Sequence, residues 1–198
     1  MHTIFGIGNP GSSYTANRHN TGFLFLDFFA AKIGIKFTPS KGNFYSAEGS
    51  ASGIKFLLVK PTTFVNKSGI AAREVLYTYQ LPTENLLVIC DDTNLNLGTL
   101  RVRLSGGDGG HNGLASIIYQ LSSNDFPRIR IGVGQNFEKN GLAEYVLSNF
   151  NETDLKELKP VFEKTLLLAE EFIIGGSNAM LDLNSKLNTI EQNNNNNL

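Results

Sequence analysis

Hydrophobic and polar positions alternate along this chain with two different periods, and each period predicts a set of elements. Short apolar runs at 3–7 and 86–90 read as buried strands. The second is continuous enough for a central parallel strand covered on both faces. Residues 44–51 and 55–60 flank Ser52-Gly53 and predict a hairpin. Strict alternation at 99–104 and 127–134 puts Leu100, Val102, Leu104, Ile129, Ile131 and Val133 inward. It puts Arg101, Arg103, Arg128 and Arg130 on the opposite, outward face. A helix over 20–32 is apolar almost all round and so belongs deep in the core. Further helices are predicted at 67–79 and 114–121, with a short amphipathic piece at 141–150. A long helix opens on Asn151 as N-cap; Pro160 is expected to kink or split it before Gly175-Gly176, and a last helix covers 179–187. Strands alternating with helices predict one α/β domain, spanning 1–188, with an Asn-rich tail at 189–198 expected to be disordered.

Composition narrows the class. The 198 residues are 41% hydrophobic and 10% aromatic, as in a folded globular protein. No apolar run is long enough to span a bilayer, and the start lacks a signal-peptide pattern. A single cysteine fits a reducing, cytoplasmic setting. The net charge of −1 gives no overall attraction to nucleic acid, so any such contact must come from local clusters of arginine and lysine.

The candidate chemistry centres on His19, at the start of the apolar helix, just after the rigid turn Asn9-Pro10-Gly11. A neutral imidazole suits general-base work near neutrality, and a carboxylate on its other nitrogen fixes the tautomer. Asp91, at the end of the central strand, is the candidate partner, with Asp92 as alternative. His19 read alone is equally a local cap. Asn9, Asn66 and Asn112 each adjoin a turn; an amide there either shapes the backbone or grips a peptide group and an oxyanion. Gly106 to Gly113 form either a phosphate cradle or a strand-to-helix loop. Gly6, Gly8 and Gly11 match a dinucleotide fingerprint, but Pro10 interrupts it and the helix starts too late. There is no G-x-S-x-G elbow and no zinc-type spacing, and Cys90 reads as a buried structural thiol. The inventory fits a metal-free hydrolase using histidine-activated water.

Four motifs in order carry a resemblance: Gly6-Ile7-Gly8-Asn9-Pro10-Gly11 with Tyr14 and Arg18-His19-Asn20; Pro61 to Asn66 with Ser68-Gly69; Asp91-Asp92 leading to Leu97-Gly98; and Gly106 to Gly113 followed by Arg128 to Gly134. Together they make the chain resemble bacterial peptidyl-tRNA hydrolases from about residue 3 to 187. The resemblance implies a monomeric three-layer α/β/α domain with a mixed, mostly parallel sheet, and hydrolysis of the ester joining a peptide to the 3′-terminal ribose of tRNA. It implies no cofactor and no metal. On it, His19 is the base, Asp91 its orienting partner, and Asn9 a donor to the oxyanion. Tyr14, Phe64, Asn66, His111 and Asn112 contact the substrate, Arg103, Arg130 and Lys139 contact tRNA phosphates, and 141–148 form a lid.

Three positions depart from the family pattern. Val65 stands where methionine is usual, Asn94 where a second aspartate is common, and Asp108 brings an acid into the glycine-rich stretch. Two other readings compete: an RNA-binding relative without turnover, and a metal-dependent peptidase using Asp91, His19 or His111 as ligands.

Overall fold

The computed structural model describes residues 1–138 and 140–195, with side chains to 193. Seven strands form one mixed sheet: β1 (His2–Gly6), β2 (Thr38–Pro39), β3 (Phe44–Ala51), β4 (Ile54–Pro61), β5 (Leu86–Asp92), β6 (Leu100–Arg103) and β7 (Arg128–Gly132). Their spatial order is β2-β3-β4-β1-β5-β7-β6. β4, β1, β5 and β7 run parallel; β3 and β6 run against them on either side, and β2 pairs antiparallel with β3 at the outer edge. The helices are α1 (Thr21–Ile33), α2 (Ser68–Tyr79), α3 (Asn112–Leu121), α4 (Leu142–Leu147) and α5 (Glu152–Asn195).

Alternation along the strands divides the core in two. Ile4, Leu87, Ile89, Ile129 and Ile131 face α1 and α5, meeting Phe25, Phe29, Leu168 and Phe172. Phe5, Leu57, Val88 and Cys90 face α2 and α3, meeting Ala72, Val75, Leu114 and Ile117. The result is the expected three-layer α/β/α domain. Each fully buried Phe adds on the order of 1.5–3 kcal/mol. Gly22 lets α1 lie directly on the sheet: a Cβ there would come within 2.5 Å of the Ile7 nitrogen and the Ile89 oxygen. That close approach brings the residues just before α1 to the carboxyl ends of β1 and β5.

The hairpin turn Ser52-Gly53 has two positive φ angles, 49° and 80°, which suit the right-handed twist of the flanking strands. Asn151 caps α5: its Oδ1 accepts from the Asp154 N–H at 2.9 Å, while Asp154 accepts from the Asn151 N–H. Three expectations need correction. Pro160 does not split α5; it lies on the exposed face, where the carbonyl it leaves unbonded can face solvent, and the one non-helical residue inside is Gly176. The chain from 189 to 195 is helical rather than a disordered tail, continuing α5; residues 196–198 lie outside the described residues. Arg128 is not outward but 1% exposed, because Phe126 and the loop at Gly106 and Gly107 cover that face of β7. Among the described residues no helix is long and apolar enough to cross a membrane.

Candidate active site

The carboxyl ends of β1, β4, β5 and β7 open on the same edge of the sheet, where ligands bind in open α/β folds. Beyond β1, the turn Asn9-Pro10-Gly11 leads to a 3-10 turn, Arg18–Asn20, which presents His19. Backbone bonds hold that turn in place: Arg18 N–H donates to the Ser148 carbonyl at 3.0 Å and Asn20 N–H to that of Asn17 at 2.9 Å. At the end of β5, Asp91 is 2% exposed. His19 Nδ1 lies 2.9 and 3.0 Å from its two carboxylate oxygens. His111 approaches the same group, with Nε2 3.0 Å from Oδ1.

The hydrogen bonds fix both tautomers. His111 caps α3: its Nδ1 accepts from the Gly113 and Leu114 N–H groups at 3.1 and 3.3 Å, so its proton is on Nε2 and points at Asp91. His19 donates from Nδ1 to the carboxylate, leaving Nε2 with a lone pair and no protein partner among the described residues. Burial works to lower the His19 pKa, but the charge of Asp91 and the hydrogen bond to it outweigh burial and raise it. Burial works to raise that of Asp91, but the neighbouring His19 and His111 hold it well below the usual carboxylate range.

Asn9 is oriented from three directions. Its side-chain Oδ1 accepts from the Val65 N–H at 3.0 Å. Its backbone N–H donates to Asn20 Oδ1, and its carbonyl accepts from Asn20 Nδ2, both at 2.9 Å. The Nδ2 of Asn9 is thereby left to donate elsewhere. Val65, in place of a methionine, is 4% exposed and packs into the core, and it is its backbone that serves the site.

A cleft of about 740 Å³ opens from His19, Asp91 and His111 past Asn112 and Arg130 to the inner side of α4, where Leu142, Val146 and Leu147 form a wall. The stretch expected to form a lid, 141–148, thus contributes to the lining of the cleft. Tyr14, Phe64 and Asn66 do not line this cleft. Tyr14 meets Phe64 edge-to-face, with ring centroids 6.2 Å apart; Phe64 is 54% exposed, and Asn66 is exposed. On the other side of Asn9 lies a cavity of about 500 Å³ walled by Phe23, Phe37 and Tyr45, with Lys60 paired to Asp27.

The four strand arginines are brought together in register, Arg101 opposite Arg130 and Arg103 opposite Arg128. They differ in availability. Arg128 lies with its guanidinium 4.1 Å above the Phe126 ring and donates to the carbonyls of Gly106, Gly107, Asn124 and Phe126. Arg130 Nε is 2.8 Å from Asp92, whose other oxygen accepts from the Asn94 N–H. Arg101 and Arg103 are exposed. Lys139 lies outside the described residues. Asp108 turns its carboxylate onto the Gly110 N–H at 2.7 Å, and its carbonyl accepts from Arg130. The acid is thus used within the glycine-rich loop.

Sequence reading gave no role to Arg18 or Asn20, though both lie in the first motif. Nothing in the spacing signals that Asn20 grips the backbone eleven residues earlier. Arg18 bonds to groups more than 110 residues later, which a local pattern does not encode.

Comparison with known proteins identifies the family. The family model described as peptidyl-tRNA hydrolase matches residues 3–194. A peptidyl-tRNA hydrolase from Thermoanaerobacter sp. (strain X514) is 41% identical over 183 residues, covering 92% of each chain. One from Finegoldia magna is 44% identical over 159 residues, 80% of this chain and 84% of its own. The crystal structure of the peptidyl-tRNA hydrolase from Acinetobacter baumannii superposes with a TM-score of 0.83 at 32% identity, covering 88% of this chain and 89% of that one. A site built at the strand ends around His19 and Asp91, and matches that run nearly the whole length of the sequence, place this chain in the peptidyl-tRNA hydrolase family.

Proposed function

We propose that the chain hydrolyses the ester between a peptide and the 3′-terminal ribose of tRNA, with His19 as general base acting on water. Family membership supplies the substrate class. The observation that carries the mechanism is the pairing of His19 Nδ1 with both oxygens of Asp91, which leaves Nε2 free at the cleft.

His19 Nε2 takes a proton from water as the oxygen adds to the ester carbonyl. The imidazolium that forms is stabilised by the buried Asp91 carboxylate. The negative charge on the carbonyl oxygen is met by Asn9 Nδ2, an amide already fixed through its Oδ1. Collapse breaks the bond to the ribose 3′-oxygen, which takes the proton back from His19, and the peptide leaves as a carboxylic acid that loses its proton to solvent. Asn112 and the α4 wall hold the peptidyl part in the cleft, and Tyr14, Phe64 and Asn66 meet the substrate. Arg103 and Arg130 face the tRNA phosphates. The chain acts as a monomer.

His19, Asp91 and His111 place ligand-type atoms within 4.8 Å of one another, the arrangement a metal-dependent reading requires. The donor set does not suit a metal. Two backbone N–H groups occupy His111 Nδ1, so the nitrogen facing Asp91 carries the proton and has no lone pair to offer.

The test is hydrolysis of an N-blocked aminoacyl-tRNA beside the unblocked ester, with chelator present. Wild type should cleave the blocked ester selectively, and His19→Ala should lose ~10²–10⁴ in rate. Tight tRNA binding without turnover in wild type would replace this reading with that of an RNA-binding relative, and loss of activity on chelation would restore the metal.

A further inference from the structure

Arg18 takes no part in the reaction above, yet it ties together three segments that border the site. Its Nη1 donates to the Val133 carbonyl at 3.0 Å, just beyond β7. Its Nε donates to Ser148 Oγ at 3.3 Å and its Nη2 to Asp154 at 2.6 Å, joining the end of α4 to the first turn of α5. The guanidinium lies 4.7 Å from the centre of the Tyr145 ring and 4.8 Å from that of Phe150. Its backbone N–H bonds to Ser148, and the neighbouring Asn17 Nδ2 donates to the Leu147 carbonyl at 2.6 Å. Tyr145 is anchored as well, its hydroxyl donating to the Val133 carbonyl at 2.8 Å.

The side chains that wall the cleft come from the same short helix as Tyr145. From this geometry we infer that Arg18 is a positioning residue that sets α4 over the cleft, so that the wall meeting the peptidyl part is held in register with the base one residue away. The inference rests on the proposed use of that cleft for the peptide. A planar, forked cation is required, since it must direct donors along its edges while its faces lie against aromatic rings; the point charge of lysine cannot do both at once. An anchor serving only stability would lower the amount of folded enzyme and reduce turnover of all substrates alike. A lid-positioning residue acts selectively on substrates long enough to reach α4.

The experiment compares wild type, Arg18→Lys, Tyr145→Leu and the double variant on two substrates, a tRNA bearing a single N-blocked residue and a dipeptidyl-tRNA with the same blocking group. Circular dichroism verifies folding at the assay temperature. Wild type should show the lower KM for the dipeptidyl substrate. Each single variant should raise that KM about tenfold or more, with the pH dependence of kcat/KM unmoved. The double variant should fall short of the sum of the single ones, because both remove the contact between Arg18 and the Tyr145 ring. If Arg18→Lys does not fold, Tyr145→Leu carries the test. A loss equal on both substrates, a loss in kcat alone, or additive effects would overturn the inference. A wild-type preference that survives in the variants overturns the role of Arg18 and leaves the cleft reading standing. A wild type indifferent to peptide length overturns the cleft reading, and this inference with it.

Discussion

Asn20 and Asn9 are joined by a reciprocal pair of hydrogen bonds, the side-chain amide of the first closing on the backbone N–H and carbonyl of the second. The turn that carries the oxyanion donor is thus clamped to the turn that carries the base. Asn20→Asp keeps the acceptor but replaces the donor with a charge facing the Asn9 carbonyl. Turnover of a blocked aminoacyl-tRNA should fall by about 10²-fold, the scale of a misplaced donor, with KM changing less. Unchanged kcat in Asn20→Asp would show that the turn holds its place without the clamp.

Asp91 and His111 should move the pH profile in opposite directions. The base must be unprotonated, so kcat/KM rises with pH through the His19 pKa, which lies above its ordinary value of 6.5. Asp91→Asn removes the charge that raises it while burial remains, so the acid limb should shift to lower pH. Its plateau should drop by about 10²–10⁴, because the imidazolium loses its counter-charge.

His111→Ala withdraws one of the two donors from Asp91. The carboxylate then acts more fully on His19, and the acid limb should move to higher pH. Profiles of kcat/KM against pH for the two variants check both signs, and a shift of both in one direction would refute the shared-carboxylate arrangement.

The arginines should differ in their contribution to RNA affinity. Arg103 is exposed and pairs with no carboxylate among the described residues, so Arg103→Ala should flatten the slope of log affinity against log salt by about 0.7–0.9. Arg130 is already paired with the buried Asp92, so Arg130→Ala should flatten it less. Salt titrations of tRNA binding to the His19→Ala enzyme measure both.

Arg128 carries stability. Arg128→Met leaves the carbonyls of Gly106, Gly107 and Asn124 without their buried donor, at a cost on the order of 3 kcal/mol. Urea unfolding should show it as a lower midpoint. A wild-type midpoint in this variant would mean that the loop finds other partners.

How much was legible in the sequence follows from the range of each interaction. The parallel strands and the helices that sandwich them are written in local periodicity, and so is the arrival of strand ends at one edge. His19 and Asp91 were readable because each adjoins an element boundary. Arg128 was misread because alternation assigns a side chain to a face of the sheet but does not say what covers that face; Phe126 and the loop at Gly106 do. Pro160 was expected to break a helix that its exposed position lets it join. The two-residue strand β2 carries no period at all. The links from Arg18 to α4 and α5 and from Asn20 to Asn9 are made by polar side chains across folded distance, which no spacing rule records.

The central place of β1 in the sheet has a consequence for biosynthesis. The strand that leads to Asn9 and His19 is the first made, yet its two neighbours are β4, in register at Phe56–Val59, and β5, at Leu86–Ile89. On a ribosome adding roughly 5–20 residues per second, β1 waits on the order of 5–20 s for its second partner to be polymerised. Until then the edge of β1 that β5 will take is unpaired, open to chaperones or to a neighbouring nascent chain. Asp91 arrives with that second partner, so the base acquires its carboxylate at the moment the centre of the sheet closes.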